Sequence, residues 1–477
     1  MNMRKKYELA LAEAKTYDEW YAAALVLDHL DGLDKWREKD ESVNFDNRLL
    51  ASRIRLLRRL RRQNDTEQLV FRLREELHGN LGNMANPTLY QHSRVGTKKL
   101  INSYLDEVCA TLKLLAESEV KSSPLRKRMF LKRAARSFGR SALLLSGGAS
   151  LGLFHMGVIK ELEEQEILPR IITGSSAGSI VAGILATHTD EEMQELFAQN
   201  DWRFEWVRLF RPNDFMKERA MLDQKVLQKC INFNIPEMTF YEAYKHTKRI
   251  LNISVSPADS HQFPRLLNYL TAPNVLIRRA ALASAAIPGI FPAVQLRAKN
   301  FAGKSVAYMP QSRWIDGSVH GDIPKEKVNR LHNVNHYIVS QTNPHVVPFL
   351  NEEIEETGIF PFIQDVIIKA PMVQIEHLLE LVKQHFDIPG LGSVIKKAHA
   401  VASQTYSGDI TIYPERNLLS LLKMFNNLGP KEMEAMMLEG RRATWPKIER
   451  IRNTTQISRT FDELLRQMSE EYTYVKR

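Results

Sequence analysis

Residues 170–187 read R-I-I-T-G-S-S-A-G-S-I-V-A-G-I-L-A-T. Ile171 and Ile172 form a short apolar run suited to a buried strand. Ile180, Val181, Ala182, Ile184, Leu185 and Ala186 form a small apolar series suited to a helix lying close against a sheet. Between them stands Gly174-Ser175-Ser176-Ala177-Gly178. Gly-x-Ser-x-Gly at a strand-to-helix junction is the nucleophile elbow, a turn so tight that the flanking positions must be nearly free of side chain. Ser176 would then stand above the sheet edge as a nucleophile, with Gly174 and Gly178 flanking it. The plainer alternative is an ordinary glycine-rich turn, because short Gly/Ser strings are common in loops.

The preceding residues favour the elbow. Ala142, Leu143, Leu144 and Leu145 read as another buried strand, Gly147-Gly148-Ala149-Ser150-Leu151-Gly152 as a glycine turn, and 153–164 as an amphipathic helix. Such a unit gathers backbone N–H groups at a helix N-terminus, where an anion is favoured. A dinucleotide fingerprint needs Gly-x-Gly-x-x-Gly and an acid at the end of the next strand. Ala149 stands where the second required glycine belongs, and no acid is so placed after Ile171-Ile172. That class is excluded. An oxyanion hole with donors near Gly147, Gly148 and Ala149 fits better, because the elbow serine comes one helix and one strand later.

Downstream, 250–255, 313–318, 337–341 and 409–413 read as strands, and 276–286 as a helix with small residues on one side. After Pro344 the chain reads mostly helical, over 359–386, 392–402 and 418–440. Ahead of the α/β pattern, 7–117 reads as helical throughout. Thr16 and Glu19 form a capping box, Asn64 or Asp65 caps a later helix, and Gly79 ends it. Leu49, Leu50, Ile54, Leu57 and Leu60 recur at helical spacing, with Arg53, Arg55, Arg58, Arg59, Arg61 and Arg62 between them. That arginine face reads as a solvated surface pairing with acids or as a phosphate-binding strip. From Lys121 onward Arg126, Lys127, Arg128, Lys132, Arg133, Arg136 and Arg140 alternate with Leu125, Met129, Phe130, Leu131 and Phe138, uninterrupted by any acid. Such a segment lies on an anionic lipid surface or serves as a solvated linker. A second basic patch, Arg441, Arg442, Lys447, Arg450 and Arg452, surrounds Trp445. The expected organisation is a helical domain over 7–120, a basic amphipathic linker over 121–140, an α/β catalytic domain over 141–345 and a mostly helical region over 346–477.

A chain of 477 residues, 44% hydrophobic and 26% charged, has room for two or three soluble domains. Its net charge of +10 favours anionic partners. No finger spacing or aromatic-basic signature points to nucleic acid. Cys109 and Cys230 are the two cysteines, which is no disulfide framework and suits a reducing compartment. No metal-ligand spacing stands out. The charged N-terminus is followed by no apolar run of signal-peptide type, and no stretch of about 18 apolar residues is long enough to span a bilayer. The expected location is therefore cytoplasmic, with peripheral association to a lipid surface.

Three blocks, Ser146-Gly147-Gly148-Ala149-Ser150-Leu151-Gly152, Gly174-Ser175-Ser176-Ala177-Gly178 and Asp316-Gly317-Ser318, resemble in this order the blocks of the patatin-like phospholipase family. Residues 281–292, A-L-A-S-A-A-I-P-G-I-F-P, resemble the small-residue helix and proline turn that the family carries between its second and third blocks. The N-terminal region, with Trp20-Tyr21 and the 47–62 helix, resembles the helical domain ahead of the patatin core in intracellular triacylglycerol lipases of lipid droplets. Ala149 and Leu151 depart from the family's glycine and basic residue in the first block, and Ser318 from its commoner Gly or Ala in the third.

The resemblance implies an α/β fold with a three-layer α/β/α core and a mostly parallel sheet. It implies a Ser-Asp dyad, Ser176 as nucleophile and Asp316 as base, with Gly147, Gly148 and Ala149 as oxyanion donors. Gly152, Gly174, Gly178, Gly317 and Ser318 complete the motifs. It needs no metal and no other cofactor. A free carboxylate with a pKa near ~4 is a poor base for a hydroxyl, so Asp316 must be buried with few donors. The rival constellation is a Ser-Asp-His triad with His320 or His336 as base. His155 reads as structural. The implied substrate is a lipid ester, triacylglycerol or a related neutral lipid first, with phospholipid or lysophospholipid as the alternative. The implied partner is a membrane or lipid-droplet surface reached through the basic patches, not nucleic acid. A non-catalytic lipid-surface binding protein is the reading from another class.

Overall fold

Among the described residues nine short segments pair as strands: β1 Arg140–Leu145, β2 Ile171–Gly174, β3 Ile250–Pro257, β4 Arg265–Leu267, β5 Arg297–Lys299, β6 Ser305–Ala307, β7 Trp314–Asp316, β8 Val334–Ser340 and β9 Ile410–Ile412. The structure is a computed structural model describing residues 2–117, 124–199, 202–206, 222–258, 263–318, 322–343, 407–415 and 426–474. The main sheet runs β4-β3-β2-β1-β8-β9, with β7 also on β3. β1, β2, β3, β8 and β9 are parallel, and β4 and β7 run antiparallel against β3. β5 and β6 form a separate hairpin. β4, β5 and β6 are not among the strands read from the sequence.

The sheet is covered on both faces, as parallel strands require. Side chains alternate across it. Leu143 and Leu145 of β1 enter a core with the helices Gly152–Glu164, Ala177–Thr187 and Ile277–Ser284. Ala142 and Leu144 enter another with Val328 of the helix Lys325–His332. The mostly parallel three-layer arrangement is the expected one. Register then aligns the strand ends. Leu145 lies opposite both Gly174 and Ser340, and Gly174 opposite Ile253. The loops after β1, β2 and β8 therefore leave the same edge side by side, and ligands of open α/β sheets bind at that edge.

The helical part departs from the expected organisation. Thr16 and Glu19 do form the capping box, and Asp65 caps the helix Thr66–Glu75, which ends short of Gly79. Arg53 pairs with Glu76, and Arg58 and Arg61 with Glu107, so part of the arginine face is an ion-pair surface. The segment expected as a basic amphipathic linker forms the helix Pro124–Phe138. Its Leu131, Ala134 and Phe138 are buried in the helical core with Leu50, Ile54 and Leu57 of the helix Asn47–Arg62. Ile457, Phe461 and Leu464 of the last helix, Ile448–Tyr474, enter the same core, so the two ends of the chain fold together. Trp445 is buried against Trp20 at 6.2 Å between ring centroids, and Arg441 pairs with Glu161 and Glu164. In the patch read around Trp445, Trp445 and Arg450 are buried while Arg441, Arg442, Lys447 and Arg452 are half-buried. The helices read over 359–386 and 392–402 lie outside the described residues, and the helix Pro430–Thr444 overlaps the end of the third.

Candidate active site

Ser176 caps the helix Ala177–Thr187 with φ 50° and ψ −125°. A left-handed φ on a non-glycine residue is strained by about 1–3 kcal/mol and persists only where the surroundings enforce it. Here they do. A Cβ on Gly178 would lie 2.4 Å from the Leu145 carbonyl, and one on Gly174 would lie 2.3 Å from the Gly178 carbonyl. The turn closes only because both side chains are absent. The Ser176 amide donates to Ser284 Oγ at 3.0 Å, and the Ser175 hydroxyl donates to the Asp322 carbonyl at 2.7 Å.

Asp316 ends β7, antiparallel to β3 and opposite Val255. Its amide donates to the Ala286 carbonyl at 2.9 Å, and the Gly317 amide to the Ser284 carbonyl at 3.3 Å. Ser284 thus touches both the elbow and the Asp316 turn. The carboxylate is 1% exposed. Oδ1 accepts from the Ser318 amide at 2.8 Å and hydroxyl at 2.7 Å, while Oδ2 has no hydrogen-bond partner among the described residues. Burial raises the Asp316 pKa to about 6, against the Ser318 bonds and the nearby Ser176 hydroxyl, which favour the ionised form. Asp316 and the Ser176 hydroxyl, expected from sequence to act together, are close enough for the hydroxyl to act on the carboxylate.

The glycine loop after β1 is pinned from below. The Thr342 amide donates to Ser146 Oγ at 2.8 Å, and the Thr342 hydroxyl to the Gly147 carbonyl at 3.1 Å. His155 Nε2 lies 3.0 Å from the Ser146 carbonyl and Nδ1 lies 2.7 Å from Ser340 Oγ. A carbonyl only accepts, so Nε2 carries the proton and Nδ1 accepts from the serine. Burial holds the His155 pKa down to about 4, so the ring is neutral and structural. Gly148 and Ala149 have amides that donate to no group among the described residues, and Ala149 adopts φ 50°. Gly147 departs from the expectation. Its amide donates to Asp322 Oδ1 at 2.9 Å and is occupied. Gly152 abuts Ala177, and Gly317 lies against the Ser254 carbonyl.

The histidine rivals fare differently. His336 faces Ser141, near the start of β1, at 3.1 Å, at the far end of the strands from Ser146. It is no base for Ser176. His320 lies outside the described residues.

A cavity of about 600 Å³, open space at its mouth included, runs from Ser176 between Gly152, Leu153, Ile180 and Val181 on one side and Phe204, Trp206, Leu227, Phe291 and Leu428 on the other. Among the described residues no charged side chain lines it. Trp206 is clamped by its indole N–H on Ser150 Oγ at 3.0 Å and its amide on Asn427 Oδ1 at 3.0 Å.

Asp322, Ser284, Thr342 and the cavity aromatics are absent from the sequence reading. The one signal for Asp322 is the second acid of D-G-S-V-H-G-D, 316–322. Ser284→Ala would leave the buried Ser176 amide unsatisfied, and is expected to lower unfolding free energy by about 1–3 kcal/mol, measurable by urea denaturation.

The profile of the patatin-like phospholipase family matches residues 143–326, and that of a domain of unknown function, DUF3336, matches residues 1–136. A triacylglycerol lipase of Schizosaccharomyces pombe is 34% identical over 94% of this chain and 95% of its own length. Triacylglycerol lipase 4 of Saccharomyces cerevisiae is 37% identical over 92% of this chain and 50% of its own. A triacylglycerol lipase of Arabidopsis thaliana is 34% identical over 96% and 58%. The chain thus spans about half the length of some curated relatives and nearly all of another. End-to-end similarity of that extent, on a chain whose glycine loop, serine elbow and Asp-Gly-Ser turn meet at one sheet edge, means that it belongs to the patatin-like phospholipase family, with the DUF3336 domain ahead of the patatin domain.

Proposed function

We propose that this chain is a serine acyl hydrolase that cleaves carboxylic esters of neutral lipids, triacylglycerol first, through Ser176 and Asp316. The observation that carries the reading is the strained Ser176 beside the open Oδ2 of buried Asp316, at the mouth of an uncharged cavity. Asp316 takes the Ser176 proton as Oγ attacks the ester carbonyl. The Gly148 and Ala149 amides hold the oxyanion, and each such donor is worth about 3 kcal/mol. As the tetrahedral intermediate collapses, Asp316 returns the proton to the leaving alcohol. Water, deprotonated by the same carboxylate, then releases the fatty acid from Ser176. Acyl chains fit the cavity lining, and among the described residues there no charge meets a phosphate headgroup. The names of the relatives point the same way. Purified protein incubated with triolein and with phosphatidylcholine is expected to release oleate from the first. Release from phosphatidylcholine alone would replace the reading with a phospholipase, and release from neither, with no fluorophosphonate labelling of Ser176, with a non-catalytic lipid binder.

The same reading places the chain on a lipid surface as a peripheral protein. Leu125 and Met129 are 50% and 45% exposed on the helix Pro124–Phe138, among Arg126, Arg128, Lys132 and Arg133. Basic residues near an anionic surface contribute about 1 kcal/mol each. Leu125→Glu with Met129→Glu is expected to abolish salt-sensitive co-sedimentation with phosphatidylserine vesicles while leaving hydrolysis of a soluble ester intact. Among the described residues no helix is long and apolar enough to cross a membrane.

A further inference from the structure

Asp322 takes no part in the proton transfers above, yet it is buried beside them at 2% exposure. We propose that Asp322 is a positioning residue that ties the oxyanion loop to the nucleophile elbow, so that the Gly148 and Ala149 amides stay aimed at the carbonyl Ser176 attacks. The inference rests on the acyl-hydrolase reading of Ser176.

Its two ends hold two different loops. Oδ1 accepts the Gly147 amide at 2.9 Å from the loop after β1. The Asp322 carbonyl accepts the Ser175 hydroxyl at 2.7 Å from the loop after β2. The point gripped is the sensitive one. A Cβ on Gly147 would lie 3.2 Å from the Ser176 Cβ, so this glycine packs directly against the nucleophile. Glycine has the widest conformational freedom of any residue and keeps one conformation only when its neighbours impose it. Gly147 is held on both sides, its N–H by Asp322 and its C=O by the Thr342 hydroxyl. Across a planar trans peptide the Gly148 N–H points opposite to the Gly147 C=O. Fixing Gly147 at both ends therefore fixes the direction of the first open oxyanion donor.

The contact needs an acceptor and not a charge. Burial, together with the Asp316 charge, moves the Asp322 pKa up to about 7 against the pull of the Gly147 amide. A protonated carboxyl still accepts through Oδ1. An asparagine offers the same oxygen, whereas an alanine offers none.

The test compares Asp322→Ala and Asp322→Asn with the wild-type chain. It reads kcat and KM on p-nitrophenyl butyrate, thermal melting, and hydrogen exchange of the amides at 146–149. For Asp322→Ala, kcat is expected to fall about a hundred-fold at unchanged KM, the size of effect that displacing a reacting group by 1 Å produces. Exchange at Gly147 and Gly148 should accelerate. Asp322→Asn should restore most of kcat and the slow exchange. Wild-type kcat and exchange in Asp322→Ala would overturn the proposal. So would an Asp322→Asn protein that melts normally but is as slow as the alanine variant. If the alanine variant does not fold, the asparagine variant decides alone by the same two readings. A wild-type chain that neither turns over ester nor labels with fluorophosphonate would remove the hydrolase reading, and exchange at 146–149 would still decide the clamp.

Discussion

Ser176→Ala is expected to lower hydrolysis of any ester the chain accepts by about ten-thousand-fold or more, with the fold intact. In the proposed mechanism this hydroxyl forms the bond to substrate carbon, and no other described side chain shares its place. Ser175 is next in sequence, but its hydroxyl is committed to the Asp322 carbonyl and to Ser254. Ser284 is engaged by the Ser176 amide, Ser318 by the Asp316 carboxylate, and Ser150 by the Trp206 indole. Nothing nearby can substitute. Alanine keeps the same backbone, so its residual activity isolates what the oxyanion amides and the cavity do alone. Ser176→Gly separates chemistry from strain further. Glycine adopts φ 50° freely, so this variant should be as inactive as alanine yet gain up to about 1–3 kcal/mol in unfolding free energy. Equal melting of the serine and glycine proteins would show that the turn stores no strain.

The parts of the site that sequence made legible are those whose cause is local. Gly174 and Gly178 stand at fixed offsets from Ser176 because a five-residue turn leaves no room at either place, and that requirement shows in the string itself. Asp316 was legible only as the third of three ordered blocks. Alone, a strand-ending acid followed by glycine has many other uses. Asp322 was not legible, because what defines it is a contact with Gly147 that is 175 residues away in the chain. Ser284 hid in a run of small residues that reads as helix packing, and it is the fold that turns its hydroxyl to the Ser176 amide. In the segment 124–138, six arginines and lysines masked the buried side formed by Leu131, Ala134 and Phe138. Charge pattern reports what a helix shows to water, and the hidden face decides whether it is a linker or part of a core. The surroundings of Trp445 show the converse. Its basic neighbours look solvated in sequence, but Arg441 meets Glu161 and Glu164 only after the helix Pro430–Thr444 crosses Gly152–Glu164.

Asp316→Asn should separate function from stability in opposite directions. As the base, Asp316 must be ionised, and its pKa of about 6 sets the acid limb of kcat/KM. Activity of the wild-type chain should halve near pH 6 and fall about tenfold per unit below it. The asparagine variant accepts no proton, so its residual rate, lower by about a hundred- to ten-thousand-fold, should lose that limb. Stability runs the other way. The unfolded carboxyl titrates near ~4, so between pH 4 and 6 the folded state binds more protons than the unfolded one. Stability contributed by the protonated group is full below pH 4 and is lost as pH rises through 6. An ionised, buried Asp316 therefore destabilises the fold at neutral pH by about 3 kcal/mol, from the 2-unit rise of its pKa. Asparagine removes that penalty and keeps an oxygen for the two Ser318 donors. It also turns an N–H toward the place where Oδ2 had no donor. The variant should thus melt higher than wild type at pH 8 and alongside it at pH 4. A lower melting point at pH 8 would mean that Asp316 holds the fold together rather than being held, charged and uncomfortable, for the serine.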